Sequence, residues 1–196
     1  MKLAVLVVLF FASVIYAQQP EPCQTPPLWE GRASAYDHGK GVHNRFNISY
    51  DGPNRRRRIV DEIDANLPGR SFHEYLFLYN QNEFYTIDRV TGRCNKTTTP
   101  PFPWIPYEVP SDATFEGEFT IGGGECLITA VEFSDRVGTT PLSWLGSFTY
   151  PGCIPIREVV VTRGPEAIET SLTQSFYDIT AGIANPSIWN PPPNCE

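Results

Sequence analysis

The sequence HEYLFLY at residues 73–79 alternates along its length as a β-strand does. Successive side chains of an extended chain point to opposite faces, so Tyr75, Phe77 and Tyr79 share one face. Leu76 and Leu78 share the other, which makes both faces apolar. A strand that is apolar on both sides lies inside a fold, either between two layers or with one face on a cavity. These residues are therefore either core or the lining of a binding pocket.

Similar alternation recurs along the chain and predicts about ten strands. No long stretch has the 3.6-residue period of a helix, although a short helical turn is expected near Asn185–Trp189. Many short strands separated by Gly- and Pro-rich turns are typical of an antiparallel sandwich or barrel, so the predicted fold class is all-β. The predicted strands are 33–37, 46–50, 56–63, 72–79, 83–88, 114–121, 127–133, 144–150, 156–162 and 172–179.

The N-terminus predicts secretion. Lys2 precedes an apolar run from Leu3 to Val14, and Ala17 ends a stretch suited to signal-peptide cleavage. The run is too short for a membrane span, which needs roughly 20 apolar residues, and no later segment approaches that length. Residues 1–17 are therefore interpreted as a signal peptide and residues 18–196 as one soluble, extracellular domain.

The charge of the chain argues against a nucleic-acid partner. The formal net charge is −7, and it falls to about −8 when Lys2 leaves with the signal peptide. Most of the affinity for nucleic acids comes from neutralising phosphates with basic residues, which this chain lacks in excess.

Five cysteines in a secreted chain imply disulfides and one odd thiol. Their long spacings contain no CxxC pair, which argues against a zinc site. The residues alone leave the choice of bridges open among Cys23, Cys94, Cys126, Cys153 and Cys195.

Two sequons predict N-glycosylation, at Asn47 and Asn95. In the alternating stretch around Asn47, Phe46, Ile48 and Tyr50 share one face. Asn47 lies on the other face, so a glycan there would point away from the core.

The segment Thr97–Pro110 carries five prolines and cannot be a central strand. It is interpreted as a loop packed down by its own large apolar residues, Phe102, Trp104, Ile105 and Tyr107, in preference to a polyproline ligand for another domain.

Motifs for catalysis are absent from the sequence: there is no HExxH, no GxSxG and no phosphate-binding glycine loop. The acidic residues at 61–64, 116–118 and 135 offer oxygen ligands of the kind that calcium takes, but they lack EF-hand spacing. Solvated carboxylates on strand faces are the alternative interpretation.

The chain resembles the ependymin and ependymin-related family of secreted glycoproteins over nearly its whole mature length. The resemblance rests on the order and spacing of short motifs. They are Cys23 with Trp29-Glu30-Gly31-Arg32, Ser49-Tyr50-Asp51-Gly52, Val60-Asp61-Glu62, Glu74-Tyr75, Ile87-Asp88, Cys94, Thr114-Phe115-Glu116, Ile121-Gly122-Gly123, Ser134-Asp135-Arg136, Trp144-Leu145-Gly146, Cys153, Phe176-Tyr177-Asp178-Ile179 and Asn185-Pro186-Ser187 up to Cys195.

This resemblance implies two stacked, curved antiparallel sheets around a deep apolar pocket, similar to bacterial lipoprotein carriers. It also implies a lipid-like ligand, calcium as a bound ion, N-glycans, a homodimer, and an extracellular or lysosomal location, with no established catalysis. It pairs Cys23 with Cys153 and Cys94 with Cys195. Cys126 is left as a buried or an intermolecular thiol.

The four arginines Arg55–Arg58 have three interpretations: a solvated strand face, a contact with an anionic ligand, and a site where a processing protease cuts after Arg58. In a strand, Arg55 and Arg57 face one way with Ile59, and Arg56 and Arg58 face the other way with Val60. Two of the four must point toward the pocket side, near its mouth.

The leading hypothesis is a secreted binding protein, not an enzyme, that holds a hydrophobic or amphipathic lipid between two sheets. The alternatives are a calcium-dependent matrix or cell-adhesion glycoprotein with no small-molecule ligand, and a hydrolase with a dispersed site. The residues expected at the ligand are Tyr75, Phe77, Trp144, Phe148, Arg56 and Arg58.

Overall fold

The computed structural model describes residues 19–62, 72–135, 142–163 and 168–195. Within these ranges the chain is built from strands and two short 3-10 helices, Tyr79–Gln81 and Pro186–Trp189. The predicted signal peptide lies outside the described residues. The strands are β1 (Leu28–Asp37), β2 (Val42–Asp51), β3 (Arg56–Asp61), β4 (His73–Leu78), β5 (Glu83–Asp88), β6 (Cys94–Thr97), β7 (Thr114–Gly123), β8 (Cys126–Ser134), β9 (Leu142–Thr149), β10 (Pro155–Arg163) and β11 (Ile168–Ala181).

All of these strands belong to one antiparallel sheet in the order β6-β5-β4-β3-β2-β1-β11-β10-β9-β8-β7. The sheet is open, because β6 and β7 are its two edges. The all-β prediction is confirmed, with the difference that hydrogen bonding runs unbroken from one expected sheet into the other through β1 and β11. No helix in the described ranges is long and apolar enough to cross a membrane.

Strand register sorts the side chains onto two faces. Trp29, Tyr50, Arg57, Phe77 and Phe84 are paired in one row across β1 to β5 and therefore share a face. We call this the inner face; it also carries Ala33, Phe46, Ile48, Ile59, Tyr75, Val131, Phe133, Trp144, Phe148, Glu158 and Phe176. The outer face carries Arg32, Asn47, Arg56, Arg58, Leu76, Leu78, Tyr85, Ile87 and Tyr177.

The described residues form three buried clusters, and two of them lie on the inner face. One surrounds Trp29 and Tyr50 in the middle of the sheet. The other surrounds Phe133 and Phe148 toward β7. Two clusters on one face place most of the apolar core on that side of the sheet.

The outer face is apolar only over β4 and β5. There Leu76, Leu78, Tyr85 and Ile87 are covered by Trp189 from the C-terminal segment. This explains why HEYLFLY is apolar on both sides: one face belongs to the inner core and the other lies under the end of the chain.

Candidate functional site

The proline-rich segment after β6, residues 98–110, crosses the inner face, and we call it the covering segment. The ring of Tyr107 lies 5.4 Å from that of Trp29, 5.3 Å from Tyr50 and 5.2 Å from Phe176. Trp104 stacks on Tyr50 at 5.5 Å with the two ring planes 7° apart. The expectation of a loop held down by its own apolar residues therefore agrees with the structure for Trp104 and Tyr107, whereas Phe102 and Ile105 are 67% and 46% exposed.

The ring of Tyr107 contacts side chains from four strands of the inner face. Besides its neighbours on β1, β2 and β11, this ring contacts Arg57 of β3, whose guanidinium carbon lies 4.3 Å from the ring centroid. This one side chain therefore links β3 to β11 across the inner face.

Arg57 brings a positive charge to the inner face. Its Nη2 donates a hydrogen bond of 2.8 Å to the backbone oxygen of Ile105, and its guanidinium also lies 5.5 Å from the ring of Trp104. Its Nε is buried, and no acceptor for it is found among the described residues. A buried donor without a partner destabilises the fold unless another group satisfies it.

Glu158 is a buried acid of the inner face. It lies on β10, where it is 7% exposed and accepts a hydrogen bond of 3.4 Å from the indole Nε1 of Trp144. Burial raises the pKa of this carboxyl to about 7, against the smaller opposing effects of the Trp144 hydrogen bond and the charge of Arg57. Its charge therefore changes near neutral pH.

A cleft of about 600 Å³ opens where the covering segment meets the β2–β3 turn. Tyr50 and Trp104 form its aromatic wall, while Arg55 and Glu108 bring opposite charges to its lining. The cleft thus reaches the inner-face aromatic cluster from solvent.

The four predicted aromatic ligand residues share the inner face. Tyr75 and Phe77 lie on β4, and Trp144 and Phe148 lie on β9, on the two sides of the Tyr107 cluster. Tyr75 is half-buried and the other three are buried. None of the four lines the 600 Å³ cleft.

The expected grouping of Arg56 and Arg58 with these aromatic residues is wrong, because both point to the outer face. Arg56 pairs with the buried Asp51 and lies over the ring of Trp189. Arg58 donates to Glu74 at 2.7 Å. Of the interpretations considered, an outward strand face agrees with both residues, whose guanidinium groups are bound to acidic side chains. Arg57 is the arginine that points to the inner face.

Sequence reasoning missed Arg57, Glu158 and Tyr107 as members of the site. Alternation already placed Arg57 on the face of Ile59 and Glu158 on the face of Val160. The sequence signal for both was a charged residue that alternation puts on the same face as apolar neighbours. Tyr107 had no such signal, since its position depends on where an irregular segment crosses the sheet.

Calcium binding stays a prediction. No group of three or more acidic, histidine or cysteine side chains in these ranges is placed to hold a metal ion. Glu62 binds Arg32 and Arg45, Glu116 accepts from Ser134, and Asp135 accepts from the backbone of Trp144. Asp64 lies outside the described residues.

Both bridges implied by the family resemblance are present. Cys23 is bonded to Cys153 and Cys94 to Cys195, with Cα–Cα distances of 5.9 and 4.7 Å. Cys126 is an exposed free thiol at the start of β8, so the buried alternative for it is excluded. The Asn47 and Asn95 side chains are exposed, as glycan attachment requires.

Together these features define a disulfide-bonded, all-β protein whose open antiparallel sheet carries a covered aromatic face. The sequence model of the Ependymin family matches residues 68–195. The rat mammalian ependymin-related protein 1 (Rattus norvegicus) is 35% identical over 178 residues, which is 90% of this chain and 77% of that protein. The chain therefore belongs to the ependymin family, and this membership with the two disulfides supports an extracellular location.

Two solved structures of low sequence identity are also similar. An uncharacterized conserved protein from Thermus thermophilus aligns with a TM-score of 0.50 and 9% identity, covering 87% of this chain and 86% of that one. A LolA superfamily protein from Nitrosomonas europaea aligns with a TM-score of 0.40 and 6% identity, covering 86% and 92%. At such identities only the fold is compared.

Proposed function

We propose that this protein is a secreted glycoprotein that binds a hydrophobic or amphipathic lipid-like ligand against its inner face, and that it acts by binding rather than by catalysis. The observation that carries the proposal is the aromatic inner face, which extends past the segment that covers it. Tyr75 and Phe84 stay half-buried there, stacked at 6.3 Å with ring planes 2° apart. Removing apolar surface from water would drive binding, at roughly 25 cal/mol per Å² before ordering losses.

Arg57 is the group proposed to meet the polar head of an amphipathic ligand. Its buried Nε is a donor without an acceptor in the described part of the chain, and a carboxylate or phosphate oxygen would supply one. Glu158 sets the charge nearby: below about pH 7 its carboxyl is protonated. An anionic head would therefore bind more tightly as the pH falls through that value.

Native mass spectrometry of protein purified from a eukaryotic secretion host, followed by organic extraction, tests the proposal. We expect a stoichiometric lipid, displaceable by an added fatty acid. Replacing Arg57 with Gln should weaken binding of a fluorescent fatty acid by about ten- to a hundredfold, the range for a charge-assisted hydrogen bond.

Arg157→Gln is the matched control, because Arg157 is exposed on the outer side of β10 next to Glu158. It should bind as the wild type does. An empty protein that takes up no added lipid would reject the proposal and leave calcium-dependent adhesion as the working account. Calcium binding, a homodimer, matrix partners and a lysosomal location stay predictions.

A further inference from the structure

A second concave site lies on the outer face, where β11, β1 and β2 run side by side. It is a groove of about 470 Å³ between the side chains of Arg32, Ser34, Arg45, Glu62, Tyr177 and Asp178. It lies on the opposite side of the sheet from the ligand-binding face proposed above, and the lipid proposal does not involve it.

The charges of this groove compensate one another. Arg32 donates to Glu62 at 2.7 Å and to Asp178 at 3.3 Å, and Arg45 lies 3.1 Å from Glu62. Two arginines thus meet two carboxylates, with His43 as the remaining titratable group of the lining, so the groove has no strong preference for an anionic or a cationic ligand. These side chains still reach solvent, and Arg32 and Asp178 are 43% and 69% exposed.

The groove also offers an aromatic surface. Tyr177 is 50% exposed, and its hydroxyl lies 3.2 Å from that of Ser34, which fixes the ring over β1. A half-exposed ring beside balanced donors and acceptors suits a neutral ligand with many hydroxyl groups and flat C–H faces. Carbohydrate has this chemistry.

The register places a carbohydrate attachment point beside the groove. Asn47 of the sequon Asn47-Ile48-Ser49 is paired with Arg32, and Arg32 is paired with Tyr177. The three residues form one row across β2, β1 and β11 on the outer face, so Asn47 and Tyr177 are about 10 Å apart. The first sugars of a glycan on Asn47 can span this gap.

We propose that the groove seats the core of the N-linked glycan on Asn47. The ring of Tyr177 packs against a sugar face, and Arg32, Arg45 and Asp178 hydrogen-bond its hydroxyl and acetamido groups. The glycan then fastens β2 to β11 across β1. The second sequon differs, because Asn95 lies on the edge strand β6, which pairs only with β5.

The test uses protein from a eukaryotic secretion host and four forms: wild type, Tyr177→Ala, Asn47→Gln and the double variant. Under native conditions, peptide N-glycosidase F should release the Asn47 glycan from Tyr177→Ala about two- to tenfold faster than from the wild type, a range set by the strength of aromatic stacking. Release from Asn95 in the same molecules should not change. Tyr177→Ala should also lower the melting temperature more in the glycosylated protein than in the Asn47→Gln background.

Three further variants keep the result interpretable. Tyr150→Ala removes another exposed tyrosine, which follows β9 and does not line the groove, and should leave release unchanged. Tyr177→Phe keeps the ring and loses only the contact with Ser34, so its release rate should lie closer to the wild type than to Tyr177→Ala. Tyr177→Leu keeps an apolar side chain without the ring and should repeat the alanine result even if the alanine variant folds poorly.

Equal release rates in the wild type and in Tyr177→Leu would overturn the proposal. So would equal melting shifts with and without the glycan, or an unoccupied Asn47 in the secreted protein.

Discussion

Glu158 couples the stability of the protein to pH, because its carboxyl group lies among aromatic side chains. Its ordinary pKa of 4.5 in the unfolded chain becomes about 7 in the folded protein. Between these values the folded state holds a proton that the unfolded state has lost. This contribution to stability is fully present below pH 4.5, falls as the pH rises, and is lost above about pH 7.

Replacing Glu158 with Gln should remove this dependence, since an amide carries no charge at any pH. The variant should match the wild type near pH 4.5 and exceed it at pH 8 by on the order of 3 kcal/mol in the free energy of unfolding. Urea denaturation at the two pH values measures the difference. Glu118→Gln changes an exposed acid, so its difference from the wild type in the free energy of unfolding should be the same at both pH values. A constant difference across this pH range would contradict the assignment.

Gly146 is the residue that lets the two rings of β9 lie on the inner face. A Cβ added there would lie 2.3 Å from Cζ2 of Trp144 and 2.7 Å from Cε2 of Phe148. Both rings are packed into the cluster around Phe133, so neither can yield freely. Gly146→Ala should therefore lower the free energy of unfolding by about 1–3 kcal/mol.

Gly117→Ala is the comparison for that variant, because nothing lies within 4 Å of a Cβ added at Gly117. It should change stability by less than about 1 kcal/mol. Equal losses in the two alanine variants would show that backbone effects, and not the rings, make Gly146 necessary.

At the scale of elements, the covering segment is held by few but specific contacts. Trp104 stacks on Tyr50, meets Tyr79 edge-on at 5.2 Å and lies beside Arg57. Farther along, the amide of Val109 donates to the backbone oxygen of Cys23 at 3.1 Å. The segment is thus fixed to β2, β3 and the N-terminal residues together.

Trp104→Ala should loosen this segment at a loss of about 2–4 kcal/mol, because a large ring and its aromatic contacts disappear. Hydrogen exchange at the Val109 amide should become faster. Phe102→Ala, two residues away and exposed, should leave that exchange rate unchanged. Unchanged exchange in Trp104→Ala would mean that Tyr107 and the Cys23 hydrogen bond hold the segment without Trp104.

Most strands could be predicted because their alternation is a property of the local chain. The interval 83–88 was predicted with the bounds of β5, and the turn near Asn185–Trp189 is a 3-10 helix. The edge strand β6 was missed, since Cys-Asn-Lys-Thr has no apolar alternation and forms only by pairing with β5.

The direction of the four arginines shows where local reasoning stops. Alternation separated Arg57 from Arg56 and Arg58, but it could not say which set faces the interior. That choice is made by distant partners: Asp51 and Glu74 bind the outer pair, while Tyr107 and Ile105 bind Arg57. β3 also lies inside the sheet between β2 and β4, which argues against cleavage after Arg58 in the folded chain.

For the whole molecule, each disulfide holds one terminal segment of the chain against one face of the sheet. Cys23–Cys153 joins the N-terminal residues to the turn between β9 and β10, beside the inner-face cluster of Phe133 and Phe148. Cys94–Cys195 joins the C-terminal segment to β6, beside the outer cluster under Trp189. The bridges close long loops, with sequence separations of 130 and 101.

Removing either bridge should therefore weaken the fold to a similar extent but affect the two faces differently. A disulfide stabilises the fold by reducing the entropy of the unfolded chain, and this effect grows only with the logarithm of loop length. The free energy of unfolding should therefore fall by up to about 4–5 kcal/mol in either double variant, Cys23→Ala/Cys153→Ala or Cys94→Ala/Cys195→Ala. Urea denaturation measures this loss. Only the first pair of substitutions should weaken binding of a fluorescent fatty acid under native conditions, because only that bridge holds a segment beside the inner face. If the second pair weakened binding as much, the ligand would depend on the outer cluster and not on the inner face.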